Sequence, residues 1–237
     1  MLVQLDGVRL LTDPLLRLRV AHLRRVVPIQ MDDLLLTDAV LVSHAHYDHL
    51  DVPSLRRLDR RAHVVVPRGL GPLIRKLGFE QVTEMEEGNE IDVRGVTVRA
   101  TPADHESERV FGVRSEALGY AVLGSRRLFF AGDTDLFPEL DRLVERLDGA
   151  LLPIWGWGAK LGSGRHLDPE RAAEAARLLR PRIAIPIHWG TYAPLHLTIG
   201  RVPSFVHAPA SAFQRAAGLR APDVEVRVLS PGQSLEL

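Results

Sequence analysis

Short apolar runs separated by glycine, proline and charged breaks dominate the chain, and strand-like and helix-like segments alternate along it. Residues 8–11 and 39–43 read as strands. Residues 64–66, three valines in a row, read as a strand buried on both faces, because a run without polar alternation has no solvent side. Residues 90–93 and 96–100 flank Arg94-Gly95, and residues 118–123 and 127–131 flank Gly124-Ser125, so each pair predicts a hairpin. Further strands are predicted over 150–153, 183–187 and 224–229, the last alternating valine with charge.

Helices are predicted over 53–58 behind an Asp51 cap, over 71–77, and over 169–179 behind an Asp168 cap with Pro169 in the first position. Residues 136–147 carry apolar side chains at 136, 140, 143, 144 and 147, which is helical spacing, and 208–218 predicts a helix ending at Gly218. Residues 14–27 mix Leu15, Leu16, Leu18, Val20 and Leu23 with four arginines. They predict a loop and short helix laid over an opening in the fold, with a basic amphipathic stretch that touches a membrane as the alternative. Hairpins followed by strand–helix units predict a mixed sheet covered by helices. No linker or repeat divides the chain, so residues 1–237 read as one domain.

The chemistry concentrates in Ser43-His44-Ala45-His46-Tyr47-Asp48-His49, directly after the apolar run 39–42. Residues two apart in extended chain point the same way, so His44 and His46 can face one point. Asp48 and His49 come where the chain turns toward Asp51 and can face a second point nearby. Imidazole and carboxylate suit zinc, manganese or iron. Three more ligand types follow predicted strands: His105 in Thr101-Pro102-Ala103-Asp104-His105, Asp133 after Gly132, and His188 before Trp189-Gly190. Any one of them alone reads as a loop residue; together they read as a metal site.

Composition narrows the picture. The chain has ten histidines and no cysteine, which excludes disulfides, thiolate metal sites and a cysteine nucleophile. Thirty basic residues balance 30 acidic ones, against a nucleic-acid binder that works through electrostatics. No apolar run nears the roughly 20 residues of a membrane span. The N-terminal MLVQLDGVRL shows no basic region followed by an apolar stretch, so no secretory signal and a cytoplasmic location are expected.

Six motifs taken in order make the sequence resemble the metallo-β-lactamase superfamily, in the branch containing N-acyl-phosphatidylethanolamine phospholipase D and the ascorbate-6-phosphate lactonases. They are Leu11-Thr12-Asp13-Pro14, His44-x-His46-x-Asp48-His49, Thr101-Pro102 through His105, Gly132-Asp133-Thr134, His166-Leu167-Asp168-Pro169-Glu170, and Ile187-His188-Trp189-Gly190-Thr191. The resemblance implies an α/β fold, a four-layer αβ/βα sandwich with the site at one edge of two packed sheets. It implies that His44, His46 and His105 hold one metal, that Asp48, His49 and His188 hold the other, and that Asp133 bridges both. It further implies that Asp13 fixes a ligand or its loop. Two departures stand out. The family's usual first strand precedes the Asp6-Gly7 turn, at which this sequence almost begins, so that edge strand is expected to be absent or to lie upstream. The nuclease-type insertion of RNA-processing relatives is also missing, which weakens an RNA reading.

The expected cofactors are two divalent metal ions, zinc foremost, with manganese or iron as alternatives. The expected reaction is attack by a metal-bridged hydroxide on a phosphodiester or related phosphorylated small molecule, with Asp48 and His166 as catalytic groups. His166 is the candidate for protonating the leaving group. Trp155, Trp157 and Trp189, all the tryptophans of the chain, are candidates for the pocket wall. A lactonase or other carboxylic ester hydrolase would use the same site, and a non-catalytic metal-binding protein is the alternative of another class. The expected partner is an anionic small molecule, with no nucleic acid and no membrane span. The substrate and the oligomeric state are not legible.

Overall fold

A computed structural model describes residues 1–28, 32–106, 115–154, 166–198 and 206–237. The first half runs β1 (Leu2–Leu5), β2 (Val8–Thr12), β3 (Arg19–Val20), β4 (Leu23–Arg25), α1 (Asp32–Leu35), β5 (Ala39–Leu41), α2 (Val52–Leu55), β6 (His63–Pro67), α3 (Gly71–Lys76) and β7 (Val82–Met85). The second half runs β8 (Glu90–Val93), β9 (Val96–Pro102), β10 (Leu118–Leu123), β11 (Arg127–Phe130), β12 (Gly149–Pro153), α4 (Pro169–Leu179), β13 (Ile183–Ile187), β14 (Tyr192–Pro194), α5 (Ala208–Arg220) and β15 (Glu225–Val226).

These strands build a five-stranded sheet in the order β1-β2-β5-β6-β7 and a seven-stranded sheet in the order β15-β13-β12-β11-β10-β9-β8. Side-chain alternation explains why two sheets pack face to face with helices outside. In β5 and β6, Leu41 and Val65 point into the core between the sheets, while Val40, Val64 and Val66 point to α2 and α3. Across the gap, Tyr120, Phe130, Leu151 and Ile185 meet the first sheet, whereas Ala121, Phe129, Ala150 and Ala184 face α4 and α5. The layers are therefore helix, sheet, sheet, helix, the expected four-layer sandwich. Small residues on the outer face of the second sheet, and Ala172, Ala173, Ala175 and Ala176 on α4, let that helix lie close. Asp168 starts α4 by accepting a hydrogen bond from the Arg171 backbone N–H at 2.8 Å, with Pro169 in the first turn. No helix among the described residues is long and apolar enough to cross a membrane.

The structure departs from the sequence pattern in several places. Residues 136–147 form one 3-10 turn, Pro138–Arg142, and not a helix. Phe137 is extended before Pro138, and Arg146 leaves with φ 54°, so neither end of the run can continue a helix, although Leu140, Val144 and Leu147 are still buried together. The last strand shrinks to Glu225–Val226, opposite Ile183 and Ala184, because Pro186 further along β13 has no N–H to offer. Helix α5 runs past Gly218 to Arg220. Residues 14–27 contain no helix. They form the β3–β4 hairpin, which adds β14 to make a third, three-stranded sheet. At the N-terminus, Leu2–Leu5 takes the edge position beside β2 across the Asp6-Gly7 turn, where φ is 51° and 79°.

Candidate metal centre

Strand direction gathers the candidate ligands. β2, β5 and β6 are mutually parallel, as are β11, β12 and β13, and β9 runs with β11 because β10 opposes both. Asp13, the Ser43–His49 segment, His105, Asp133 and His188 each follow the C-terminal end of one of these strands, so all five arrive at one edge of the sandwich. Gly132 permits the closest approach. Its φ of +62° suits glycine, and a Cβ there would lie 2.7 Å from that of Ser43.

Two groups form around Asp133. His46 Nδ1 lies 2.9 Å from His44 Nε2 and 3.1 Å from His105 Nε2, so three imidazole nitrogens converge on one point. His49 Nε2 and His188 Nε2 lie 3.7 and 3.6 Å from Asp48 Oδ2, with their rings stacked 5.3 Å apart. The Asp133 carboxylate has Oδ2 at 3.2 Å from His49 Nε2 and Oδ1 at 3.6 Å from His188 Nε2, and it also falls in candidate ligand sets with His44 and with His105 of the first group. His166 joins from the start of the α4 segment, its Nε2 3.3 Å from Asp133 Oδ2 and its ring against that of His105. The sets His44–His46–His105, His44–His49–Asp133, Asp48–His49–His188 and His105–Asp133–His166 each have ligand atoms close enough to share one ion.

The donor set fits divalent ions. His49 Nε2 and Asp133 Oδ1 are buried and have no hydrogen-bond partner among the described residues. Orphaned buried polar atoms are costly, and a metal ion would satisfy both at once. The electrostatics carry the same strain. Burial alone would depress His49 and His188. The Asp133 and Asp48 carboxylates, with Asp13 beside His49, outweigh it, so His49 stands well above the ordinary histidine range and His188 rises to about 9. Burial would raise Asp48, but His49 and His188 pull it down to about 2, and the same two cations hold Asp133 well below the carboxylate range. Burial pushes His44 and His46 down toward the neutral form that binds metal.

Asp13 organises the His49 side. Its Oδ1 accepts from the Ser43 backbone N–H at 2.7 Å, and its Oδ2 accepts from Ser43 Oγ and His49 Nδ1, both at 2.6 Å. Holding Nδ1–H in this way leaves Nε2 of His49 free to face Asp48 and Asp133, where an ion could be shared. Ser43, whose Oγ also lies 2.9 Å from His44 Nδ1, is the residue that sequence reasoning passed over. Its place immediately before the histidine motif was the available signal. Trp189 lines the neighbouring cavity and anchors its Nε1–H on the Pro186 carbonyl at 2.9 Å. Trp155 and Trp157 lie outside the described residues.

A cavity of about 580 Å³ opens beside Asp48, His49, Asp133 and His188, and its remaining wall is largely apolar, including Leu11, Leu15, Leu16, Leu23 and Ile187. The β3–β4 hairpin supplies part of that wall and is tied down twice. Arg17 makes a bidentate pair with Asp51, and Tyr192 Oη donates to the Arg17 carbonyl at 2.5 Å.

Fold and site together define a metal-dependent hydrolase. A family model described as the beta-lactamase superfamily domain matches residues 8–189, and the chain belongs to the metallo-β-lactamase superfamily. Among its relatives, N-acyl-phosphatidylethanolamine-hydrolyzing phospholipase D 1 of Caenorhabditis elegans is 33% identical over 218 residues, covering 81% of this chain and 61% of its own length. A UPF0173 metal-dependent hydrolase of Methanopyrus kandleri is 33% identical over 243 residues, covering 99% of this chain and 94% of its own. Among solved structures, the metallo hydrolase Igni18 of Ignicoccus hospitalis superposes with a TM-score of 0.75 at 25% identity, over 99% of this chain and 92% of that one.

Proposed function

We propose that the chain is a binuclear hydrolase of phosphodiesters or related phosphorylated small molecules. His44, His46 and His105 hold one divalent ion, Asp48, His49 and His188 hold the second, and Asp133 serves both. Zinc is the favoured metal, because the set is nitrogen-rich and each group offers few ligands. Such ions supply a nucleophile from water at neutral pH and polarise the oxygen of the bond under attack. The observation that carries this reading is the buried Asp133 carboxylate, which contacts His49 and His188 of one group and has its ligand oxygen close enough to share an ion with His44 or with His105 of the other.

The chain's own residues divide the remaining work. Asp48 is the more exposed of the two central carboxylates and faces the cavity, where its Oδ2 can orient the attacking water and take its proton. His166, only 16% exposed, directs Nε2 into the centre and is placed to give a proton from that atom to the departing oxygen. The apolar wall of the cavity takes the uncharged body of the substrate and excludes water from the reacting end. A phosphodiester with an apolar portion is also the substrate type that the nematode relative's name describes. The test is turnover of a chromogenic phosphodiester against a lactone panel, using metal-loaded protein. Phosphodiester hydrolysis lost in Asp133→Ala supports the reading. Turnover of lactones alone transfers the site to carboxylic esters, and no turnover of either refutes it.

A further inference from the structure

The basic residues are unevenly spread. A second cavity, of about 420 Å³, is lined by eleven residues, five of which are arginines: Arg146, Arg177, Arg180, Arg182 and Arg220. That is several times the density of basic residues in the whole chain, 30 of 237. The cavity lies at the end of the sandwich opposite the metal centre. Leu147 and Arg182 in its wall stand just before β12 and β13, whereas Ile154 and His188 follow those strands. Five residues of strand, about 16 Å, separate the two ends.

Two of the arginines have an ordinary explanation. Arg177 and Arg220 sit in the last turns of α4 and α5, where a cation offsets the helix dipole, and they pair with Glu174 at 2.6 Å and Glu170 at 3.0 Å. Arg146, Arg180 and Arg182 make no ion pair among the described residues, and Asp223 is the one acidic side chain in the cavity wall. Arg146 and Arg180 also adopt left-handed backbone, with φ of 54° and 47°. An L side chain is disfavoured there and glycine is not, so each guanidinium stands at the rim against a backbone cost of about 1 kcal/mol.

We propose that this cavity binds a compact polyanion of the oligophosphate type, with Arg146, Arg180 and Arg182 as its donors, at a site separate from the metal centre. Guanidinium groups stay charged at any working pH and match phosphate oxygens two at a time. Three of them against one carboxylate leave net positive charge for a ligand to neutralise. Leu147, Pro181 and Val224 give the cavity an apolar floor, which strengthens that attraction over its value at a flat surface. A concave site of this volume suits a small ligand better than a membrane face or a long polymer.

The test uses inorganic triphosphate as probe on the metal-loaded protein, read by calorimetric binding and thermal melting against sodium chloride at equal ionic strength, with metal content measured before and after. Binding is expected to weaken about tenfold for each arginine removed, as for charge-assisted hydrogen bonds. Arg146→Ala/Arg182→Ala therefore loses it nearly completely. Arg180→Gly separates binding from folding: it should melt no lower than the parent without probe, and yet bind more weakly. Equal affinity in parent and variants overturns the proposal, because the probe would then be acting at the metal centre. So does a melting shift reproduced by sodium chloride, or one explained by metal loss. Orthophosphate and a nucleoside triphosphate, run alongside, distinguish a chain of phosphates from a single one and from a nucleotide.

Discussion

Asp13→Asn isolates what Asp13 does for the metal centre. The two side chains are nearly isosteric, so the loop at residue 13 should keep its shape. Asn retains one carbonyl oxygen, enough for the Ser43 backbone N–H at 2.7 Å, but replaces Oδ2, which takes hydrogen bonds from both Ser43 Oγ and His49 Nδ1 at 2.6 Å. With an amide facing it, His49 must accept at Nδ1 and carry its proton on Nε2, the atom 3.2 Å from Asp133 that would bind metal. Both side chains are under 10% exposed, so water cannot readily compensate. Loss of two charge-assisted hydrogen bonds sets a ceiling of roughly 3–6 kcal/mol. The expected share in metal affinity is about 10–100-fold, from loss of an outer partner that fixes a ligand. The assay is competition with a chromophoric chelator, which resolves two binding steps. One step should weaken by that factor while the other, at His44–His46–His105, changes much less. A folded Asp13→Asn protein that binds both ions as tightly as the parent would refute the tautomer argument.

Four further outcomes follow from the same geometry. His188→Ala should abolish one metal step and hydrolysis with it, by metal content and turnover, since His188 is one of three candidate ligands in its group. Metal binding at pH 7.5 should release about two protons per chain, from His49 and His188, whose raised values keep them protonated in the metal-free chain; calorimetry in buffers of different ionisation enthalpy reads the number. By the same linkage, the stability that His188 gives the metal-free chain is complete below about pH 6.5 and is lost as pH rises through about 9, so melting temperature without metal should fall across that window. Gly132→Ala should destabilise the fold and loosen the centre, because the new methyl would stand 2.7 Å from Ser43 Cβ on left-handed backbone; unchanged melting and metal affinity would contradict the close-approach role.

The candidate site is more legible in the sequence than the frame around it. Ligands grouped in one short segment and placed after strands are legible because strand direction and side-chain period are local properties, and the structure brings all seven candidate ligands together with His166 and Asp13. The buried valines of β6 and the Arg94-Gly95 turn were legible for the same reason. The helix read over 136–147 failed because apolar spacing does not register Pro138 or the left-handed Arg146, while the burial of Leu140, Val144 and Leu147 satisfies the same spacing without a helix. The hairpin at residues 19–25 was illegible because its third strand, Tyr192–Pro194, lies far along the chain, and short strands rich in arginine carry no period of their own. Ser43 was missed because its role depends on Asp13, thirty residues before it.

The central claim is that seven residues hold two metal ions, and metal stoichiometry tests it most directly. Protein purified without chelator, supplied with zinc and freed of loose metal should contain about two ions per chain, falling to about one in His188→Ala. A parent protein that retains one ion or none, while folded, would contradict the account.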